Sequence, residues 1–217
     1  MAKNDAHHKD NENVSFSASG TGKMETSVSQ LQDWLSALSG TQLAEWDRLP
    51  DIGLYMDQIL TLMDRQLAFY RRSDEDRLLT PAMINNYTKD GLLPRATDKK
   101  YTQGHLALLS ILCSLKPVLS ISDLAVLSEN AHLQKDDHEI FDYFLRAQAE
   151  ALENSRSDLA PLLIELTETS FTGETGQDAY KQELALMALR MAVEARVRIM
   201  MTQKILDLLQ PPETKRS

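Results

Sequence analysis

The sequence predicts an all-α chain carrying one small β-hairpin, and three observations carry that prediction. Apolar residues recur at intervals of three and four over most of the length, as in Ile59, Met63 and Leu67 or in Leu159, Leu162, Leu163 and Leu166. Helix starts and stops punctuate the pattern: Thr80-Pro81 pairs a capping hydroxyl with proline at the first helical position, and Gly91 and Pro94 close the same segment. Only between Pro94 and Tyr101, with Ala96-Thr97-Asp98-Lys99 near the tip, does a hairpin fit better than a helix.

The elements follow in order. Residues 1–24 hold hardly an apolar side chain and predict a disordered arm. Residues 25–50 predict N-terminal helices: Val28, Leu31, Trp34, Leu35 and Leu38 share a helical spacing before Gly40, and Thr41 can cap a short second helix with Leu43 and Trp46, interrupted at Pro50. From Asp51 to Tyr70, Ile52, Tyr55, Met56, Ile59, Met63, Leu67 and Tyr70 predict one amphipathic helix. Helices are then expected over Thr80 to about Lys89, Thr102 to Leu115 and Ser120 to Leu127, the last opened by Ser120 and Asp123 at capping-box spacing. Two more, Asp137–Glu153 and Ser157–Leu166, precede a Gly/Thr linker at 172–176 and a long final helix over 177–209. On that helix Leu184, Met187, Met191, Met201, Ile205 and Leu208 form a seam. Residues 211–217 read as a disordered tail.

Composition narrows the function. A hydrophobic content of 42% supports a real core, and neither a membrane-length apolar run nor an apolar leader is visible, which predicts a cytoplasmic protein without membrane association. The net charge of −9 argues against a protein that coats nucleic acid indiscriminately. Yet the charge is segregated. Arg65 to Lys116 holds nine Lys/Arg against five Asp/Glu, a local excess of +4, while the rest of the chain carries −13. The lone Cys113 lies in an apolar run and reads as a buried thiol.

That basic region contains the segment TPAMINNYTKDGLLPRATDKKYTQ, Thr80 to Gln103. At a hundred degrees per residue, Met83, Ile84 and Tyr87 share one helix face, and Ala82, Asn85, Asn86 and Lys89 share the opposite one. The first face is core. The second is small and polar and suits a DNA major groove, where Asn bonds adenine bidentately and Lys reaches phosphate or guanine. Arg95, Lys99 and Lys100 on the hairpin would grip the sugar-phosphate backbone. Taken alone, the same pattern also fits a solvated surface.

The segment resembles the N-terminal winged helix-turn-helix of MerR-type transcription regulators. The shared features are Tyr87, three residues, Gly91-Leu92-Leu93-Pro94, a wing ending in Lys100-Tyr101, the helix from Thr102, and Leu119-Ser120-Ile121-Ser122-Asp123-Leu124; they span about Leu79 to Leu127. A closer resemblance, reaching back to about Pro50 through LYMDQIL, LTPAMINNY and KKYTQGHLALL, is to a bacterial family known as a domain of unknown function, family 1836. The resemblance implies a MerR-like winged helix-turn-helix over residues 51–130, followed by a C-terminal bundle over 131–210 that joins a homodimer. The likeness to MerR-type regulators, rather than the closer one, implies a transcription regulator that reads a pseudo-palindromic site in double-stranded DNA. One departure stands out: Asn85 and Asn86 occupy the place of an Arg and a Tyr usual in MerR-type proteins. Base reading by Asn85 and Asn86 is one consequence; a helical protein-interaction module with a degenerate winged fold is the other.

Enzymatic chemistry is not expected. Gly20-Thr21-Gly22-Lys23 lacks the spacing and the preceding strand of a phosphate loop, and no Ser/His/Asp or Cys/His set has a catalytic context. His132, Asp136 and His138 lack a further Cys or His to complete a ligand set, so Asp136 and Asp137 are read as helix caps. No cofactor or metal is expected. The final helix has no thiolate, which argues against thiolate metal sensing and leaves any effector open.

Overall fold

The computed structural model describes residues 20–39, 43–73, 75–168 and 173–210, and α-helices dominate them. Helix α1 runs from Gly20 to Ser39, so it starts inside the segment expected as an arm; the rest of that arm, Gly40, Thr41 and the tail 211–217 lie outside the described residues. Trp46–Arg48 is a single 3-10 turn where a short helix was expected.

Helix α2 spans Met56–Gln66 and continues into a 3-10 turn at Ala68–Tyr70, which corrects the expectation of one helix from Asp51. Leu54 is the reason. It exchanges both backbone hydrogen bonds with Tyr101, at 2.9 and 2.8 Å, and holds the chain extended up to the helix. Ile52 and Tyr55 therefore leave the predicted stripe and stand 66% and 49% exposed, while Ile59, Met63 and Leu67 are fully buried.

Helix α3, Pro81–Lys89, matches its sequence signals closely. The Thr80 hydroxyl accepts from the Met83 N–H at 3.3 Å, and Gly91, with φ +76°, turns the chain so that the Leu92 and Leu93 N–H groups both reach the Tyr87 carbonyl. Helix α4 is Gln103–Leu115 and α5 is Ile121–Ala131; Ser120 and Asp123 form the predicted reciprocal cap of α5.

Helix α6, Asp137–Glu168, is one element where two were expected. Residues Asn154–Ser157 are polar enough to read as a break. However, Leu152, Leu159, Leu163 and Leu166 continue a single inward stripe across it, and the Ser155 hydroxyl is absorbed by the Ala151 carbonyl at 2.8 Å. Asp136 and Glu139 cap its start reciprocally. Helix α7, Gly173–Leu209, takes in most of the expected linker, of which Thr172 lies outside the described residues.

Two cores result. The larger gathers Leu54, Ile59, Met63, Leu67, Ile84, Tyr87, Leu93, Leu106, Leu109, Leu124 and Phe141; the smaller joins Val28 of α1, Leu163 and Leu166 of α6 and Tyr180 of α7. Helix α7 is ~55 Å long and touches both, through Tyr180 at one end and Leu206 at the other. No helix among the described residues is long and apolar enough to cross a membrane.

The expected β-hairpin is not built of strands among the described residues. It is reduced to the single bridge Thr97–Lys100, closed by the Lys100 N–H to Thr97 carbonyl bond at 2.9 Å, and backed by the Leu54–Tyr101 bridge. Pro94 offers no N–H, and only Arg95 and Ala96 separate it from the bridge, so the limb is too short for a second rung.

Candidate nucleic-acid interface

The sequence pattern of α3 becomes a two-faced helix. Ile84 and Tyr87 are buried to 0% and 3% exposure and Met83 is half-buried, which fixes the rotation of the helix on the core. Burying Ile84 alone is worth about 1.5–3 kcal/mol, so a rotation that turned this face outward is strongly disfavoured. Ala82, Asn85, Asn86 and Lys89 are consequently all exposed. Among the described residues none of their side chains has an ion pair or hydrogen bond within the chain, so their amides and ammonium are available to a ligand. Arg95, Lys99 and Lys100 follow on the turn and are exposed as well.

The Tyr87 hydroxyl has no hydrogen-bond partner among the described residues, and burial pushes its pKa up to about 12, with the neighbouring Cys113 adding to the effect. Cys113 itself is buried as expected, and burial likewise raises its thiol to about 12. Neither group titrates or reacts readily at neutral pH.

The tip of the turn is conformationally costly. Asp98 and Lys99 have φ of 52° and 62°, the left-handed pair of a type I′ turn that Asn-Gly fills with least strain. A lysine there costs about 1–2 kcal/mol relative to right-handed backbone. The chain nevertheless carries its charge at that point.

His105 secures the base of the turn, a role that the sequence reading missed. It occupies the third position of α4, where its Nδ1 accepts from the Thr102 N–H at 3.1 Å and its Nε2 lies 3.2 Å from the Pro94 carbonyl. Nε2 must donate to that oxygen, so both contacts need the neutral ring protonated on Nε2. Burial lowers the His105 pKa, the bond to Pro94 only partly opposing it. The signal was present as Thr-x-x-His, a capping box with His in the Glu/Gln place. Gln103 adds a second tie, donating to the Trp46 carbonyl at 2.7 Å.

The other two histidines among the described residues serve the α5–α6 junction: His132 pairs with Asp137 at 2.9 Å, and His138 stacks on Trp46 with centroids 4.7 Å apart and lies 3.4 Å from Asp142. Lys100 differs from the free prong expected of it, because its ammonium lies over the Tyr55 ring at 5.7 Å.

Fold and surface thus define a helical module that displays a polar helix face followed by a cationic turn. Residues 44–146 are similar to a family described as Domain of unknown function (DUF1836), a match over somewhat less than half of the 217-residue chain that takes in α2 to α5 and the start of α6. Searches of curated proteins and of solved structures returned no match.

Proposed function

We propose that the chain is a DNA-binding transcription regulator with a MerR-like winged helix-turn-helix, in which α3 enters the major groove and the Thr97–Lys100 turn acts as a minimal wing. The observation that supports this most is the segregation of α3: every core contact is on one side, and Ala82, Asn85, Asn86 and Lys89 stand free on the other. Asn85 and Asn86 supply donor-acceptor pairs that match adenine, Lys89 reaches guanine or phosphate, and the small Ala82 lets the helix approach. Arg95, Lys99 and Lys100 contribute charge-assisted phosphate bonds that set register without reading sequence. The strained lysine at the tip is accounted for if its ammonium is needed there. The acidic remainder disfavours other docking modes.

Helix α7 supplies a partner surface for a second copy. Leu186, Leu189, Val193, Val197, Met200, Met201 and Leu208 are large, apolar and exposed, and they run along one side of the helix. A two-fold pairing of this stripe would present two α3 helices to one duplex. Half-sites about 34 Å apart then follow, and the operator is a pseudo-palindrome.

Selecting host genomic fragments on the purified protein tests this. Enrichment of inverted repeats with one-turn spacing is the predicted outcome. Fragments retained with no shared sequence would refute specific reading, and retention of none at low salt would favour the second reading, a protein-interaction module. That reading is supported by the absence of the Arg-Tyr pair and by the apolar stripe of α7.

A further inference from the structure

We propose that Gly53 and Tyr55 form a seat that aims the Lys100 ammonium at a DNA phosphate, making Tyr55 a positioning residue; the phosphate part rests on the DNA-binding reading above. Three features of the segment before α2 meet at this lysine. The Leu54–Tyr101 pair brings residues 53–55 alongside the outgoing limb of the turn through two backbone hydrogen bonds. Gly53 permits the approach: a Cβ there would lie 2.9 Å from the Lys100 Cβ and 3.1 Å from its Cδ, closer than side chains pack. The first of these contacts is next to the backbone, so it cannot be relieved by swinging the end of the side chain.

The lysine stem, laid along Gly53, carries its ammonium over the face of Tyr55, 5.7 Å from the ring centroid and within the range of a cation–π contact. The backbone that carries the ring is held in place. Tyr55 is the N-cap residue of α2, and its N–H is held by the Gln58 Oε1 at 2.9 Å. At 49% exposure Tyr55 is too open to serve the core, and its ring is left to meet the Lys100 ammonium. A free lysine loses rotamer entropy when it grips a phosphate. Here part of that ordering precedes the encounter, while the ammonium keeps donors for an anion.

Two measurements on the full-length protein test the seat. Without DNA, ring current should shift the Lys100 ε-methylene protons upfield in the wild type and in Tyr55→Phe, and Tyr55→Leu or Gly53→Ala should return them to ordinary lysine positions. Ordinary positions in the wild type would overturn the seat whatever the protein binds. With a genomic duplex of about 30 base pairs, Tyr55→Leu should weaken binding by about 2- to 5-fold. Lys100→Ala should remove one phosphate contact, lowering the salt slope by ~0.9, and the double variant should bind as Lys100→Ala alone does. If Lys100→Ala weakens binding and Tyr55→Leu does not, positioning is wrong and the DNA-binding reading survives. If Lys100→Ala changes nothing while the wild type binds, Lys100 is no phosphate contact. If the wild type binds no duplex at low salt, the DNA-binding reading fails and takes the phosphate role with it.

Discussion

At the scale of the residue, Tyr87 shows how one side chain can hold a face in place at some cost. Its ring is buried at 3% exposure between α3 and α4, yet its hydroxyl finds no partner among the described residues. An unsatisfied buried hydroxyl is destabilising, so Tyr87→Phe should raise stability by ~1 kcal/mol in urea denaturation with an unchanged m-value; a loss of stability would mean that the hydroxyl is bonded after all. The inward roles of Ile84 and Tyr87 and the outward roles of Asn85, Asn86 and Lys89 were legible because helical periodicity assigns faces from neighbours only three or four residues away. Tyr55 was illegible for the converse reason. Its spacing matches the α2 stripe, but a partner far along the chain, Tyr101, captures Leu54 and pulls Tyr55 off the helix.

At the scale of the element, the turn depends on the helix behind it. His105 caps α4 through Nδ1 and holds the Pro94 carbonyl through Nε2, and a proton on Nδ1 abolishes the first contact. Its pKa is lowered in the folded chain, chiefly by burial. The folded state therefore binds fewer protons than the unfolded state at this site. Its stabilising contribution is full above the ordinary value of 6.5 and is lost as pH falls through the lower folded value. His105→Gln keeps an acceptor for Thr102 and a donor for Pro94 without titrating. Its melting temperature should fall less than the wild type's between neutral pH and the region below 6.5; equal falls would remove His105 as the source. Elements with local cap signals, such as α3 and α5, were legible to within a residue or two at their starts. The α6 break was misread because polar composition at Asn154–Ser157 hid an apolar stripe that runs through it, and the hairpin because a single-bridge turn leaves no alternating pattern to distinguish it from a strand pair.

At the scale of the whole molecule, charge and apolar surface are divided between separate regions. The span from Arg65 to Lys116 carries the positive excess, and the exposed apolar stripe lies on α7, which is anchored in both cores. This division suits a protein that binds a polyanion with one part and a second copy with another. The segregated charge was readable from sequence, but the seam expected on α7 is split: Leu184 and Met187 pack against the smaller core, while Met191, Met201, Ile205 and Leu208 are exposed. That α1 would close a second core with the far ends of α6 and α7 was not readable, because nothing local to α1 specifies its partners. The central claim is that the turn after α3 meets phosphates. Its most direct test is the salt dependence of duplex binding for the wild type and for the Lys99→Ala/Lys100→Ala double variant. Loss of two phosphate contacts should flatten the slope of log K against log salt by nearly two units, about 0.9 for each contact. Identical slopes for the two proteins would contradict it.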